Sequence, residues 1–125
     1  MKNKLKCDKY TIFVLIQYTR EKIKMGVYII LNKTKSTKDK MVVKVGCSKN
    51  INNRFKQIKN LSKFNGIKDE LIILTTIKCS KYKLLEKHLH ILLNSRRILN
   101  KHEWFIVDED FFNKQLMKID LSYYK

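Results

Sequence analysis

The 125-residue sequence contains no proline, only three glycines and only 11 acidic residues. It has no Pro-rich, Gly/Ser-rich or repeated stretch, which argues against a linker or a repeat array. The longest apolar run, residues 12–16, is far shorter than the ~20 residues that a membrane-spanning helix needs. No small-residue cleavage site follows this run, so we expect neither a membrane span nor a secretory signal.

Cysteine is also scarce. The three cysteines (Cys7, Cys47 and Cys79) are odd in number and dispersed, and no pair has the spacing of metal ligands. This pattern argues against a zinc site and more strongly against a disulfide framework, so we expect free thiols in a reducing, cytoplasmic compartment. Cys47 is the least implausible nucleophile, because a predicted helix begins just after it and a helix N-terminus lowers a thiol pKa.

Basic residues dominate what is present. Lys and Arg together number 28, which gives a formal net charge of +17. A charge this large favours a polyanionic partner such as a nucleic acid. The alternative is compositional, because Arg is rare while Lys, Asn and Ile are abundant, as an AT-rich phage, viral or bacterial genome would produce. Charge therefore narrows the class of partner but does not name the chemistry.

Short runs rich in β-branched residues predict strands at residues 10–18, 26–31, 41–46, 70–79 and 102–107. Three polar residues are candidate N-caps for helices that end near residues 61, 98 and 119: Ser48, Ser80 and Asp108. The order β-β-α-β-α-β-α predicts an α+β fold, with helices packed against a small, largely antiparallel sheet. The length suits one hydrophobic core, so we expect a single domain over residues 1–125.

Arg54 lies where a helical wheel predicts an apolar face. It falls within the arc of the first helix that contains Ile51, Phe55, Ile58 and Leu61. A guanidinium in that position is costly to desolvate unless it meets an anion, such as a carboxylate or a substrate phosphate. The alternative is that Arg54 reaches solvent from the edge of the arc.

The second helix places Glu86 at the rim of an apolar arc that comprises Tyr82, Leu85, Leu89, Leu92 and Leu93. His90 follows at i+4 on the same face, which suits a metal ligand beside an acid–base or phosphate-binding group. The alternative is a surface Glu–His pair of little consequence. His88 is predicted to be packed or half-buried. A second apolar stripe indicates either burial on two sides or a homodimer contact: Leu84, Ile91 and Ile98.

Five pieces of the sequence occur in a recognisable order over about residues 26–107. They are Gly26-Val27-Tyr28, Lys44-Val45-Gly46, Arg54, Glu86 and Glu103-Trp104-Phe105. In this order they resemble the GIY-YIG nuclease superfamily, with Lys44 in the place of the usual tyrosine of the second motif. The likeness is greatest to the phage and large-DNA-virus branch typified by a phage T5 open reading frame, in which that motif commonly reads Lys-Ile-Gly.

The resemblance implies a metal-dependent DNA endonuclease that hydrolyses phosphodiester bonds. Glu86 would be the ligand of a Mg²⁺ or Mn²⁺ ion, and Tyr28 the general base or the group that orients the attacking water. Arg54 would stabilise charge on the phosphate. Lys44 would bind phosphate, tune Tyr28 or transfer a proton. A catalytically silent nucleic-acid-binding module of the same fold is the main alternative, and a basic structural protein that needs no DNA is a third.

Two further features bear on the resemblance. Many family members carry a histidine one turn after the arginine, where this chain has Ile58, and His90 or His102 is a candidate substitute. The sequence shows no separate DNA-recognition domain, so four lysines between the first two motifs are candidate DNA-backbone contacts: Lys33, Lys35, Lys38 and Lys40. Such phosphate contacts position a protein on DNA without specifying a sequence.

Overall fold

A computed structural model describes residues 25–99, 101 and 103–125. Its strands and helices are β1 (Gly26–Asn32), β2 (Met41–Ser48), α1 (Ile51–Phe64), β3 (Leu71–Lys78), α2 (Tyr82–Leu92), β4 (Trp104–Val107) and α3 (Glu109–Met117). Short 3-10 turns span Asn94–Arg96 and Leu121–Tyr124. The predicted α+β class is confirmed, and so is the order of elements from residue 26. The strand predicted at residues 10–18 lies outside the described residues.

The four strands form one sheet in the order β3-β1-β2-β4, and every neighbouring pair is antiparallel. The prediction of a largely antiparallel sheet is therefore confirmed. β4 pairs with β2 only over Met41–Lys44, and one further bond joins the Val45 amide to the Glu103 carbonyl at 3.0 Å. Within the described residues, no strand pairs with the outer side of β2 from Gly46 onwards. This open edge sets the location of the candidate site.

Both faces of the sheet are covered by helices. Side chains of successive strand residues point to opposite faces, so β1 sends Val27 and Ile29 towards α2 and α3, where they join a core that includes Leu85. Tyr28 and Ile30 point to the other face, where they pack with residues of α1. No helix in the described part of the chain has both the length and the apolar character that crossing a bilayer requires.

The structure corrects two of the three predicted helix caps. Ser48 does not cap α1; instead Asn50 does, because its side chain accepts a hydrogen bond from the Asn53 amide at 3.1 Å. Ser80 does not cap α2, which begins at Tyr82 after an uncapped Lys81. Asp108 is confirmed as the cap of α3, with its carboxylate accepting from the Phe111 amide at 2.7 Å.

The predicted helix ends also needed correction. α1 continues to Phe64, and α3 stops at Met117. α2 ends at Leu92 rather than near residue 98, because a 3-10 turn follows and Arg97 then forms a backbone bridge with Phe105. The end of α2 is therefore set by pairing with a distant strand, which local periodicity does not report.

The helical wheels were right for most positions on α2 and wrong at the end of α1. Leu85, Leu89 and Leu93 are fully buried, as predicted. His88 is half-buried against the hydroxyl of Tyr124, which confirms that it is a packed histidine. By contrast, Leu61 is 62% exposed, so the apolar arc of α1 does not extend along the whole helix. The second apolar stripe on α2 is buried only in part, because Leu84 packs against the core while Ile91 is exposed.

Candidate active site

Tyr28 lies across β2 at the open edge of the sheet. It is only 2% exposed, and its strand register pairs it with Gly46. The phenol ring covers Gly46 so closely that a Cβ atom at that glycine would overlap the hydroxyl and lie 2.8 Å from Cε1 of the ring. A strand glycine often marks such a close approach. Because Gly46 has no side chain, the Tyr28 hydroxyl can extend across β2 to the open edge of this strand.

Arg54 approaches the same hydroxyl from α1. Its side chain is exposed, and Nη1 donates to Gln57 Oε1 at 3.4 Å. The guanidinium also hydrogen-bonds the Tyr28 side chain, and this contact partly offsets the rise in the phenol's pKa that burial causes. Of the two alternatives drawn from the wheel, the structure supports an arginine that reaches solvent from the edge of the apolar arc. An exposed guanidinium remains available to an incoming anion at little desolvation cost.

Glu86 and His90 reach the open edge from α2, on the opposite face of the sheet. Glu86 is half-buried, and the Cys47 thiol hydrogen-bonds its carboxylate. His90 Nε2 lies 2.8 Å from the carbonyl oxygen of Val45. Since a carbonyl only accepts, Nε2 must carry the proton in this contact and Nδ1 is left as an acceptor. His90 thus fastens α2 to β2 beside Glu86. His102 lies outside the described residues, and Ile58 packs in the core under α1.

Lys44 is fixed at the edge by residues around the start of β4. Its Nζ lies 3.0 Å from Glu103 Oε1 and 5.7 Å from the centre of the Trp104 ring. The Lys44 side chain is only 13% exposed, so this ion pair is shielded from solvent more than a typical surface pair. The bond between the Val45 amide and the Glu103 carbonyl anchors the same segment to β2. Lys44 therefore has a restricted position rather than a mobile surface conformation.

The electrostatics of the site are set by burial and by two carboxylates. Burial raises the pKa of Glu86, and the nearby charge of Glu103 raises it further, whereas His90, Cys47 and Lys44 act in the opposite direction. Burial likewise raises the pKa of Tyr28 above 10.0, Glu103 and Glu86 add to this effect, and Arg54 opposes it. A carboxylate charge is therefore disfavoured in this partly desolvated site, and a bound cation would offset that cost.

The carboxylate oxygens of Glu86 and Glu103 are of the type that hard divalent cations prefer. Among the residues that the structure describes, no group of three His, Cys, Asp or Glu side chains is close enough to hold a metal ion by itself. Mg²⁺ keeps several of its waters and binds through one or two carboxylates. The two carboxylates that the described residues supply here fit an ion of that kind.

Cys47 does not have the activated thiol that its position in the sequence suggested. Burial, together with the charge and hydrogen bond of Glu86, raises its pKa to about 12. The expected lowering by the helix N-terminus is outweighed by burial and by the Glu86 carboxylate, and α1 begins only at Ile51, four residues after Cys47. The thiol is therefore protonated at neutral pH and is a poor nucleophile.

The four lysines of the β1–β2 loop do not join this site. They lie beyond Asn32, at the other end of the hairpin, and Lys33 is roughly 16 Å from Tyr28 along the strand. Two of them face carboxylates: Lys33 lies 4.0 Å from Glu70, and Lys35 lies 3.6 Å from Asp69. Lys38 and Lys40 are exposed. The loop lysines remain candidate backbone contacts, separate from the residues at the open edge.

Comparison of the sequence with known protein families gives one match. The model of the T5orf172 domain matches residues 25–119, which is more than half of the chain. Neither the curated proteins nor the solved structures contain a significant match. The matched range includes every element of the sheet and all the candidate residues at its open edge.

Proposed function

This chain belongs to the T5orf172 domain family, and from that premise we propose that it is a divalent-metal-dependent DNA endonuclease with a site of the GIY-YIG type. A T5orf172 domain is compatible with a nuclease-like or DNA-binding role, and the net charge of +17 suits a nucleic-acid partner. One observation carries the proposal. Side chains from four elements, far apart in sequence, converge at the open edge of β2: Tyr28, Lys44, Arg54 and Glu86.

Glu86 is the residue that would hold the Mg²⁺ or Mn²⁺ ion, with Glu103 as a second carboxylate nearby. A bound divalent cation lowers the pKa of a coordinated water and neutralises charge on a phosphate. The raised pKa of Glu86 supports this assignment, because the folded chain keeps a carboxylate where burial and a second carboxylate disfavour its charge. Groups perturbed in this way cluster at functional sites.

Arg54 and Tyr28 would act on the phosphate and the attacking water. The exposed guanidinium of Arg54 can donate two parallel hydrogen bonds to phosphate oxygens and stabilise the charge that develops on them. The Tyr28 hydroxyl is a protonated phenol at neutral pH, because its pKa is raised above 10.0 by burial and by the two carboxylates. A protonated phenol is a very weak base. We therefore assign Tyr28 to orienting the water rather than to removing its proton.

Lys44 would contact the phosphate from a position that Glu103 maintains. We expect Glu103→Gln to reduce the kcat for nicking by about ten- to a hundredfold, because a small displacement of a positioned group is costly. The KM for DNA should change less, since most phosphate contacts are unaffected. The measurement is steady-state nicking with thermal unfolding run in parallel.

The matched control is Glu70→Gln, which removes the carboxylate beside Lys33 at the far end of the hairpin. It should leave kcat unchanged. If Glu103→Gln nicks DNA as fast as the unmodified chain, Glu103 does not position Lys44 for the reaction.

The direct test of the proposed function is incubation with supercoiled plasmid in Mg²⁺, in Mn²⁺ and in EDTA. We expect nicked circles with either metal and none with EDTA, because Glu86 alone cannot activate water. Gel-shift binding to the same DNA is measured under each condition. Binding without cleavage in both metals would instead favour the catalytically silent module, and no binding at low salt would contradict both readings.

A further inference from the structure

A cavity of about 430 Å³ lies directly beside the candidate active site. It is formed by α2 and by the turn that follows this helix. Its lining residues are Glu86, Lys87, His90, Ile91, Asn94 and Arg97. Glu86 and His90 belong to the candidate site, so a molecule in the cavity would lie against the proposed metal ligand. The other four residues have no role in the proposed reaction.

The cavity is lined by an exposed apolar side chain and by hydrogen-bond donors whose orientation is fixed. Ile91 is 63% exposed, although large apolar side chains on the opposite face of α2 are fully buried. Arg97 Nε donates to Asn94 Oδ1 at 3.2 Å, which orients the Asn94 amide. The guanidinium of Arg97 lies 4.9 Å from the centre of the Phe105 ring, and its backbone bridges to the same residue. These donors are therefore fixed to β4 rather than free in solvent.

We propose that this cavity binds one unpaired nucleotide of the DNA strand, next to the phosphate that is cleaved. The inference rests on the proposed function and extends it to the substrate class. Ile91 offers an apolar surface to a base, and Asn94 offers an amide to its hydrogen-bonding edge. Lys87 and Arg97 supply positive charge for the adjoining phosphate. The volume is within the range of small-ligand sites.

The position of Ile91 indicates that the bound nucleotide is unpaired. Ile91 lies in the cavity wall that α2 forms, and a base that packs its flat face against this side chain has left the duplex stack. Unstacking costs a few kcal/mol in intact duplex and least where the base is already single-stranded. The cavity therefore selects single-stranded, looped or branched DNA over continuous duplex.

The test is titration of the ¹⁵N-labelled full chain with the dinucleotide pdTpdT, followed by NMR, without metal. We expect shift changes at the amides of Ile91, Asn94 and Arg97. Ile91→Asp should weaken binding by about tenfold or more, because it replaces the apolar surface by a charge that repels phosphate. Asn94→Ala should weaken it to a smaller extent. Met117→Asp is the matched control, because it places the same charge at an exposed apolar residue that does not line the cavity.

The proposal is overturned if the shifts lie elsewhere, if none appear at about 10 mM dinucleotide, or if Ile91→Asp binds as tightly as Met117→Asp. A second arm compares nicking of a duplex with that of the same duplex carrying a short unpaired loop. Ile91→Asp should remove the preference for the loop. Since the NMR arm needs no cleavage, loss of the nucleotide site and absence of nuclease activity are separate outcomes.

Discussion

Glu86→Ala is expected to reduce metal-dependent nicking of plasmid by about a thousandfold or more, which corresponds to the several kcal/mol that a catalytic cation supplies. The physical reason is that the variant lacks the carboxylate proposed to hold the ion, while Arg54 and Lys44, the proposed phosphate contacts, are retained. Gel-shift affinity at fixed salt should therefore change little. Nicking is measured under single-turnover conditions in Mg²⁺ and in Mn²⁺.

Glu86→Gln separates chemistry from folding. The folded-state pKa of Glu86 is raised by burial and by Glu103. A carboxyl group with a raised folded-state pKa contributes most stability when protonated, and this contribution is lost as the pH rises through its pKa. At neutral pH the charged carboxylate therefore opposes folding. Gln resembles the protonated form, so this variant should unfold at the same temperature as the unmodified chain or at a higher one, yet it should not nick DNA.

Glu70→Ala is the control for the Glu86 variants, because it removes an exposed carboxylate far from the open edge. It should leave nicking unchanged, and it should not weaken binding. A Glu86→Ala protein that still cleaves with the metal dependence of the unmodified chain would remove Glu86 from the reaction. The donor set at the edge would then have to be reassigned to Glu103.

Much of the fold could be predicted because its signals are local. Strands of β-branched residues and an amphipathic α2 gave the order of elements, and the capping geometry of Asp108 agreed with the prediction. The errors have non-local causes. Ser48 and Asn50 are both capping residue types, and the backbone conformation decides between them. α2 stops at Leu92 because the chain must turn to bring Arg97 to β4.

The candidate site was predictable in part for the same reason. Arg54 and Glu86 stood out because a helical wheel shows a charge beside an apolar face. The partnership of Lys44 with Glu103 gave no such signal, since strand register alone brings these distant residues within 3.0 Å. Glu103 entered the sequence argument only as part of a closing motif. The cavity beside Glu86 was equally hidden, because it depends on how the turn after α2 packs.

Gly46→Ala is expected to have the second large effect, although it adds only one methyl group. A Cβ at this position would overlap the Tyr28 hydroxyl and lie 2.8 Å from Cε1 of its ring, closer than real Cβ contacts. The ring is buried, so it must be displaced at a cost of about 1–3 kcal/mol, as for other overpacked sites. Displacement moves the hydroxyl away from Arg54, and nicking should fall by about a hundredfold.

A double-mutant cycle decides whether this effect acts through Tyr28. In the Tyr28→Ala background the ring is absent, so adding Gly46→Ala should cost almost no further unfolding free energy or activity. The four proteins are compared by urea unfolding and by nicking under identical conditions. If Gly46→Ala destabilises the Tyr28→Ala protein as much as it does the unmodified chain, the glycine serves the strand itself. If the two costs are strongly non-additive, its role is to let the phenol lie across β2, where the proposed chemistry requires the hydroxyl.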